Sequence, residues 1–130
     1  MNPQPIQTPT APLPIGPYHQ AIQAQGTFVF LSGQIPLNSQ GQMVGDDITL
    51  QTRQVMENLG AVLKAAGCGW QQVVKTTIYL VDLGDFSAVN QVYGEYFSDG
   101  YAPARACVQV ARLPKDARVE IDAIAILPSS

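Results

Sequence analysis

Apolar positions change their period several times along this chain, and each change marks an element. From Ile48 to Ala66 they return at Ile48, Val55, Leu59, Val62, Leu63 and Ala66, the three-and-four spacing of one helix face. Asp46 or Asp47 is placed to cap its start and Gly67 to stop it. Val73 to Val81 is rich in strand formers (Val73, Val74, Thr76, Thr77, Ile78, Tyr79), and Asp85 to Phe97 resumes helical spacing through Phe86, Val89, Val92, Tyr93 and Tyr96. Arg105–Val110 and Arg118–Leu127 alternate as strands on either side of the turn-prone Leu113-Pro114-Lys115-Asp116. Upstream, Ala21–Gln25 and Thr27–Ser32 read as a hairpin about Gly26, and residues 33–46, punctuated by Gly33, Pro36, Asn38, Gly41 and Gly45, read as a loop. The pattern predicts the order ββαβαββ, an α+β fold in which two helices cover one face of a mixed sheet. Six of the ten prolines fall within residues 1–17. Residues 1 to about 13 are therefore expected as an extended arm, laid on a surface or frayed as far as Pro9, of a single domain spanning 1–130.

Alternation assigns faces to the last two strands. Ala104, Ala106, Val108 and Val110 share one side and Arg105, Cys107 and Gln109 the other, while Val119, Ile121, Ala123 and Ala125 oppose Arg118, Glu120 and Asp122. If the two strands pair antiparallel with their apolar faces together on the helices, a register such as 107 opposite 120 sets Glu120 beside Cys107 and diagonally near Arg105. That face, turned away from the helices, also carries Ile124 and Ile126 and needs a cover, for which self-association is the simplest source.

Composition narrows the chemistry. The 130 residues are 46% apolar and only 13% charged, with net charge −3. This is enough chain to bury a core without metals or disulfides. It lacks the basic footprint on which nucleic-acid affinity rests, which excludes a dedicated DNA-binding domain and argues against RNA. One histidine, His19, and two cysteines, Cys68 and Cys107, 39 positions apart, supply too few ligands for a zinc or haem site and no disulfide framework. Phosphate-cradling glycine motifs are missing. The first Lys or Arg is Arg53, so no basic leader precedes an apolar run, and no run approaches the roughly 20 residues of a membrane span. A cytoplasmic protein without cofactor is expected.

Few side chains remain to carry chemistry. Arg105 either captures a carboxylate or phosphate with its planar fork or pairs structurally with Glu120 or Asp122. Glu120 either activates water or neutralises that arginine. Cys107 reads as a small buried residue as readily as a nucleophile, Ser32 as a turn hydroxyl or a ligand donor, and Tyr18 as an anchor or a phenolic donor. Asn90 by default is a solvated polar residue on the second helix, and His19 by default a packing or surface residue.

Five separated segments resemble a known family. They are Pro14-Ile15-Gly16-Pro17-Tyr18 with Gln20-Ala21; Leu31-Ser32-Gly33-Gln34-Ile35-Pro36; Val74-Lys75-Thr76-Thr77; Asp82-Leu83-Gly84-Asp85-Phe86; and Pro103-Ala104-Arg105-Ala106-Cys107-Val108 running through Ala111-Arg112-Leu113-Pro114 to Val119-Glu120-Ile121. Together they are similar to the reactive intermediate deaminase A (RidA/YjgF) family from about Pro14 onward. The resemblance implies a chorismate-mutase-like fold and a homotrimer with clefts between subunits. It also implies hydrolysis of 2-imino acids such as 2-iminobutanoate and 2-iminopropanoate to 2-oxo acids and ammonia, in metabolite damage control beside pyridoxal-phosphate-dependent threonine or serine dehydratases. Carried over by position, Arg105 would hold the substrate carboxylate and Glu120 would orient the attacking water. Tyr18, Ser32, Asn90 and backbone groups at Gly33 and Cys107 would shape the pocket. His19 departs from the family motif and takes no catalytic role there.

A protonated imine is already a strong electrophile, so such a site needs carboxylate fixation, a placed water and help with proton movement. Competing readings are a non-catalytic 2-oxo acid binder or sensor, a ribonuclease or translation inhibitor, and a holdase chaperone.

Overall fold

The first long helix forms where its apolar stripe predicts. In the computed structural model, which describes residues 3–97 and 99–128, α1 spans Ile48–Ala65, and the Asp47 carboxylate accepts the Leu50 N–H at 2.9 Å. Gly67, at φ +81°, ends it in the left-handed region that suits glycine. Val55, Met56, Leu59 and Leu63 form its buried face. The second helix, α2, spans Phe86–Glu95 and buries Val89, Val92 and Tyr93. Among the described residues no helix is long and apolar enough to cross a membrane.

The strands are β1 (Gln4–Ile6), β2 (Ala21–Gln23), β3 (Phe28–Gln34), β4 (Val73–Leu80), β5 (Ala104–Gln109) and β6 (Val119–Ile126). Four of them make a mixed sheet in the order β3-β6-β4-β5, antiparallel except for β4 and β5. Thr76, Ile78 and Leu80 of β4 and Val119, Ile121, Ala123 and Ala125 of β6 point to the helices and are all buried. The α+β class with two helices on one sheet face therefore holds, with one strand, β1, added within the proline-rich arm.

Three expectations are corrected. The hairpin of residues 21–25 with 27–32 does not form. Gly26, at φ +137°, redirects the chain, and β2 pairs instead with β1, through Gln4↔Gln23, Pro5↔Ile22 and Ile6↔Ala21. Gln20 ties down the rest of the arm: its Nε2 donates to the carbonyls of Thr8, Ala11 and Pro12, and its Oε1 accepts the Thr8 N–H. Those bonds serve carbonyls that neighbouring prolines cannot match with donors of their own.

The second correction concerns pairing. β5 does not lie beside β6. The unit β4-α2-β5 is a crossover, which demands a parallel pair, and β5 becomes the sheet edge with Arg105 opposite Thr76 and Cys107 opposite Ile78. β6 returns between β3 and β4, with Glu120 opposite Tyr79.

The third correction is of faces. Arg105 and Cys107 share the helix side with Thr76 and Ile78, whereas the apolar Ala106 and Val108 are exposed on the other. Glu120 and Asp122 do lie on the side away from the helices, so Arg105 and Glu120 of one chain occupy opposite faces of the sheet. Of the two isoleucines expected on the open face, Ile124 is half-buried, whereas Ile126 is already covered, with Gly26 packed against it.

A buried amide ties α1 to the loop before it and to the residue that leads into β6. Gln51 of α1, 1% exposed, donates to the Gly45 carbonyl at 2.6 Å and accepts the Arg118 N–H at 2.8 Å. Arg118 Nη2 in turn donates to both oxygens of Asp85 at 2.9 and 2.8 Å, immediately ahead of α2, and its Nη1 to the Asp46 carbonyl at 2.7 Å. Gln51→Leu keeps the volume but removes the partner of the half-buried Arg118 N–H, while water can replace it at the exposed Gly45 carbonyl, so it should destabilise the fold by about 1–2 kcal/mol. Urea unfolding would read this as a lowered midpoint with unchanged slope.

Candidate functional site

Helix spacing and a proline turn converge on Arg105. Phe86, Asn90 and Tyr93 stand at i, i+4 and i+7 on α2, hence on one stripe, and that stripe faces the edge strand. The Arg105 guanidinium carbon lies 5.2 Å from the Tyr93 ring centre, 5.6 Å from that of Phe86 and 5.1 Å from that of Tyr18. Its Nη1 donates to Asn90 Oδ1 at 2.7 Å. Tyr18 arrives through a tight turn in which its N–H donates to the Gly16 carbonyl at 2.8 Å, with Pro17 lying against Gly94 of α2. Gly16 brings the backbone close: a Cβ there would sit 3.6 Å from Arg105 Nη2.

These groups bound an open cleft of about 250 Å³, lined by Ile15, Gly16, Tyr18, Phe86, Arg105 and Cys107. Among the described residues the ion pairs are Arg53–Glu95, Arg112–Asp116 and Arg118–Asp85, and none involves Arg105. Arg105 thus presents a permanent positive charge, stacked by three rings and bonded to one neutral amide, with donors left for a ligand.

The neighbouring groups are kept neutral. Burial pushes the Tyr93 phenol up to about 12, against the opposing pull of its Thr76 hydrogen bond and the Arg105 charge. That hydroxyl and Thr76 Oγ1 are 2.7 Å apart. Burial likewise raises the Cys107 thiol, with Arg105 pulling the other way, so Cys107 is a thiol lining the cleft rather than a thiolate nucleophile. Among the described residues no set of three or more His, Cys, Asp or Glu side chains converges as metal ligands.

Glu120 belongs to a second cluster, on the far face and toward the other edge of the sheet. The β3–β6 register slips between Leu31 and Gln34, and Ser32 and Gly33 occupy that bulge. A Cβ on Gly33 would fall 2.1 Å from Glu120 Oε2, so the carboxylate lies directly over the glycine. Burial, reinforced by the like charge of Asp122, raises the Glu120 carboxyl above its ordinary value. The residues singled out from sequence therefore separate into Tyr18, Asn90, Arg105 and Cys107 at one cleft, and Gly33 and Glu120 at the bulge that also carries Ser32.

The family described as Endoribonuclease L-PSP matches residues 8–127. The chain belongs to this family, which includes the RidA/YjgF proteins. It is 56% identical over 126 residues to a RutC family protein of Synechocystis sp., covering 95% of this chain and 96% of that one. It is 50% identical over 122 residues to the 2-iminobutanoate/2-iminopropanoate deaminase of Mus musculus, covering 93% and 89%. Among solved structures, E. coli TdcF with bound serine superposes with a TM-score of 0.75 at 43% identity, covering 96% of this chain and 99% of that one.

Within this L-PSP domain, sequence reasoning overlooked the cage. Phe86 and Tyr93 read simply as core positions, yet with Asn90 they make the i, i+4, i+7 stripe that meets Arg105. A polar Asn90 between two rings on one helix face was the available signal.

The Gly33 contact makes a prediction. Gly33→Ala should push the Glu120 carboxylate into solvent, and its titration midpoint, followed by carbon NMR, should fall back toward the ordinary glutamate value. An unchanged midpoint would contradict the packing described.

Proposed function

We propose that this protein hydrolyses reactive 2-imino acids, 2-iminobutanoate and 2-iminopropanoate, to 2-oxo acids and ammonia. The observation that carries the reading is Arg105, a half-buried guanidinium without a carboxylate partner among the described residues, held in a cleft of substrate size. Relatives at 46–50% identity named 2-iminobutanoate/2-iminopropanoate deaminase supply the substrate class. Arg105 takes the substrate carboxylate in a bidentate grip. Water adds to C2 of the protonated imine, giving a tetrahedral aminoalcohol. Its collapse expels ammonia as the C–N bond breaks and the carbonyl forms, the hydroxyl proton leaving with the ammonia as ammonium. Glu120, its carboxyl raised by burial, accepts the proton of the attacking water and returns it to the departing nitrogen. Tyr18, Asn90, Ser32 and backbone groups at Gly33 and Cys107 orient the substrate between these two groups.

That division of labour requires two copies, since Arg105 and Glu120 of one chain sit on opposite faces and toward opposite edges of the sheet. Joining the β5 side of one copy to the β3 side of the next is a head-to-tail contact, which forms a ring where its rotation closes, and a trimer is the ring we propose. The exposed apolar face supports it: Phe28 is 55%, Phe30 73% and Val108 42% exposed. An RNA-cleaving reading is disfavoured by the net charge of −3 and by arginines engaged with carboxylates, three of the four being so paired.

The test uses a pyridoxal-phosphate-dependent threonine dehydratase as imine source, with semicarbazide competing for the imine. Wild type should accelerate 2-oxobutanoate release at the expense of the trapped product. Arg105→Ala should lose about 100-fold in kcat/KM, the worth of a charged bidentate contact. Binding of 2-oxobutanoate without acceleration would leave the protein a sensor.

Mixing offers a sharper check on shared sites. Arg105→Ala and Glu120→Gln, each inactive alone, should after co-refolding regain about a quarter of wild-type activity, because random reassortment pairs two intact residues at one site in four. No recovery in mixed assemblies would mean that each chain completes its own site.

A further inference from the structure

We propose that His19 is a positioning residue of the Arg105 cleft, clasping the start of β5 so that Tyr18 stays against the guanidinium; this rests on the deaminase reading above. The backbone N–H of His19 donates to the Pro103 carbonyl at 3.2 Å, and its ring Nδ1 lies 2.6 Å from the Ala102 carbonyl. A carbonyl oxygen only accepts, so Nδ1 carries the proton. One residue thus engages two successive carbonyls of the segment leading into Arg105.

The location gives that clasp its consequence. β5 is an edge strand, paired on one side only, and Pro103 just before it has no N–H to offer a neighbour. Ala102 and Pro103 are buried, where backbone acceptors need partners. His19 supplies both. Its ring also packs against Tyr101, with centroids 6.2 Å apart, and the Tyr101 hydroxyl donates to the Val73 carbonyl at the head of β4. The 101–103 segment is thereby pinned from two sides. Tyr18 precedes His19 directly and Arg105 follows Pro103 by two residues, so the clasp sets the spacing between the Tyr18 ring and the guanidinium it covers. Releasing it opens one face of Arg105 to water and weakens its hold on a carboxylate, while the residues proposed to move protons are untouched.

The test compares His19→Ala, His19→Phe, which keeps a ring against Tyr101, and His19→Asn, whose side-chain amide nitrogen occupies the place of Nδ1. For His19→Ala and His19→Phe we expect KM for 2-iminobutanoate and the calorimetric Kd for 2-oxobutanoate to rise about 3- to 10-fold, the worth of one hydrogen bond, with kcat within about 2-fold. His19→Asn should recover most of that loss. A lowered melting temperature with KM and Kd unchanged, or no recovery in His19→Asn, would overturn the proposal and leave His19 structural. Nitrogen NMR of the His19 ring in the wild-type protein should find Nδ1 protonated. An unprotonated Nδ1 would overturn the clasp whether or not the protein hydrolyses imines, which separates this failure from failure of the deaminase reading.

Discussion

A guanidinium that cannot lose its proton, placed where no carboxylate answers it, is the constraint from which the rest of the cleft follows. Half-buried charge is costly unless something replaces lost hydration. Around Arg105 that replacement is the faces of Tyr18, Phe86 and Tyr93 and one amide oxygen from Asn90. None of these cancels the charge, so the attraction for an anion survives. A structural salt bridge would have stabilised the arginine and silenced it. The contrast lies in the same chain, where Arg118 spends Nη2 on the Asp85 carboxylate and Nη1 on the Asp46 carbonyl and serves to hold the start of α2.

That constraint explains why elements far apart in sequence must meet. The crossover through α2 brings its Phe86-Asn90-Tyr93 stripe over the strand it leads into, as a parallel β4-β5 pair requires. The third ring comes from the proline-rich region, whose turn at Gly16-Pro17-Tyr18 is seated on α2 through Gly94. Placing β5 at the sheet edge leaves the guanidinium open on one side. The same topology sends β6 to the sheet centre and Glu120 to the opposite face, where the β3 bulge supplies a glycine for the carboxylate to lie on. The two halves of the proposed chemistry are built by different local devices.

Helices and strands were legible because their periods are local properties. Asp47, Gly67 and the buried stripe of α1 fall where the pattern predicts, and so does the inward face of β6. Pairing was not legible, because alternation is blind to which strand lies alongside. Val108 and the small Ala104 and Ala106 look like an inward face, yet on an edge strand opposite Thr76 and Ile78 it is Arg105 and Cys107 that turn inward. Charge misled here, since a mid-strand arginine reads as solvent-facing unless the rings that will stack on it are already placed. The early strands failed for a related reason: Gly26 between two apolar runs resembles a hairpin, but the partner of β2 lies 17 residues upstream in the arm, at Gln4↔Gln23 to Ile6↔Ala21. Asn90 carries no signal in isolation and acquires one only from its helical distance to Phe86 and Tyr93.

The neutrality of the other groups in the cleft bears on what it can hold. Burial keeps the Tyr93 phenol and the Cys107 thiol protonated, so neither competes with a ligand for Arg105, and neither supplies an anionic nucleophile. Rings stacked on the guanidinium shield its faces, which leaves approach to its edge. A flat carboxylate meets that edge with two oxygens in the same plane. A chain with little charge thereby offers one guanidinium edge between rings, which suits the carboxylate that the proposed reaction requires.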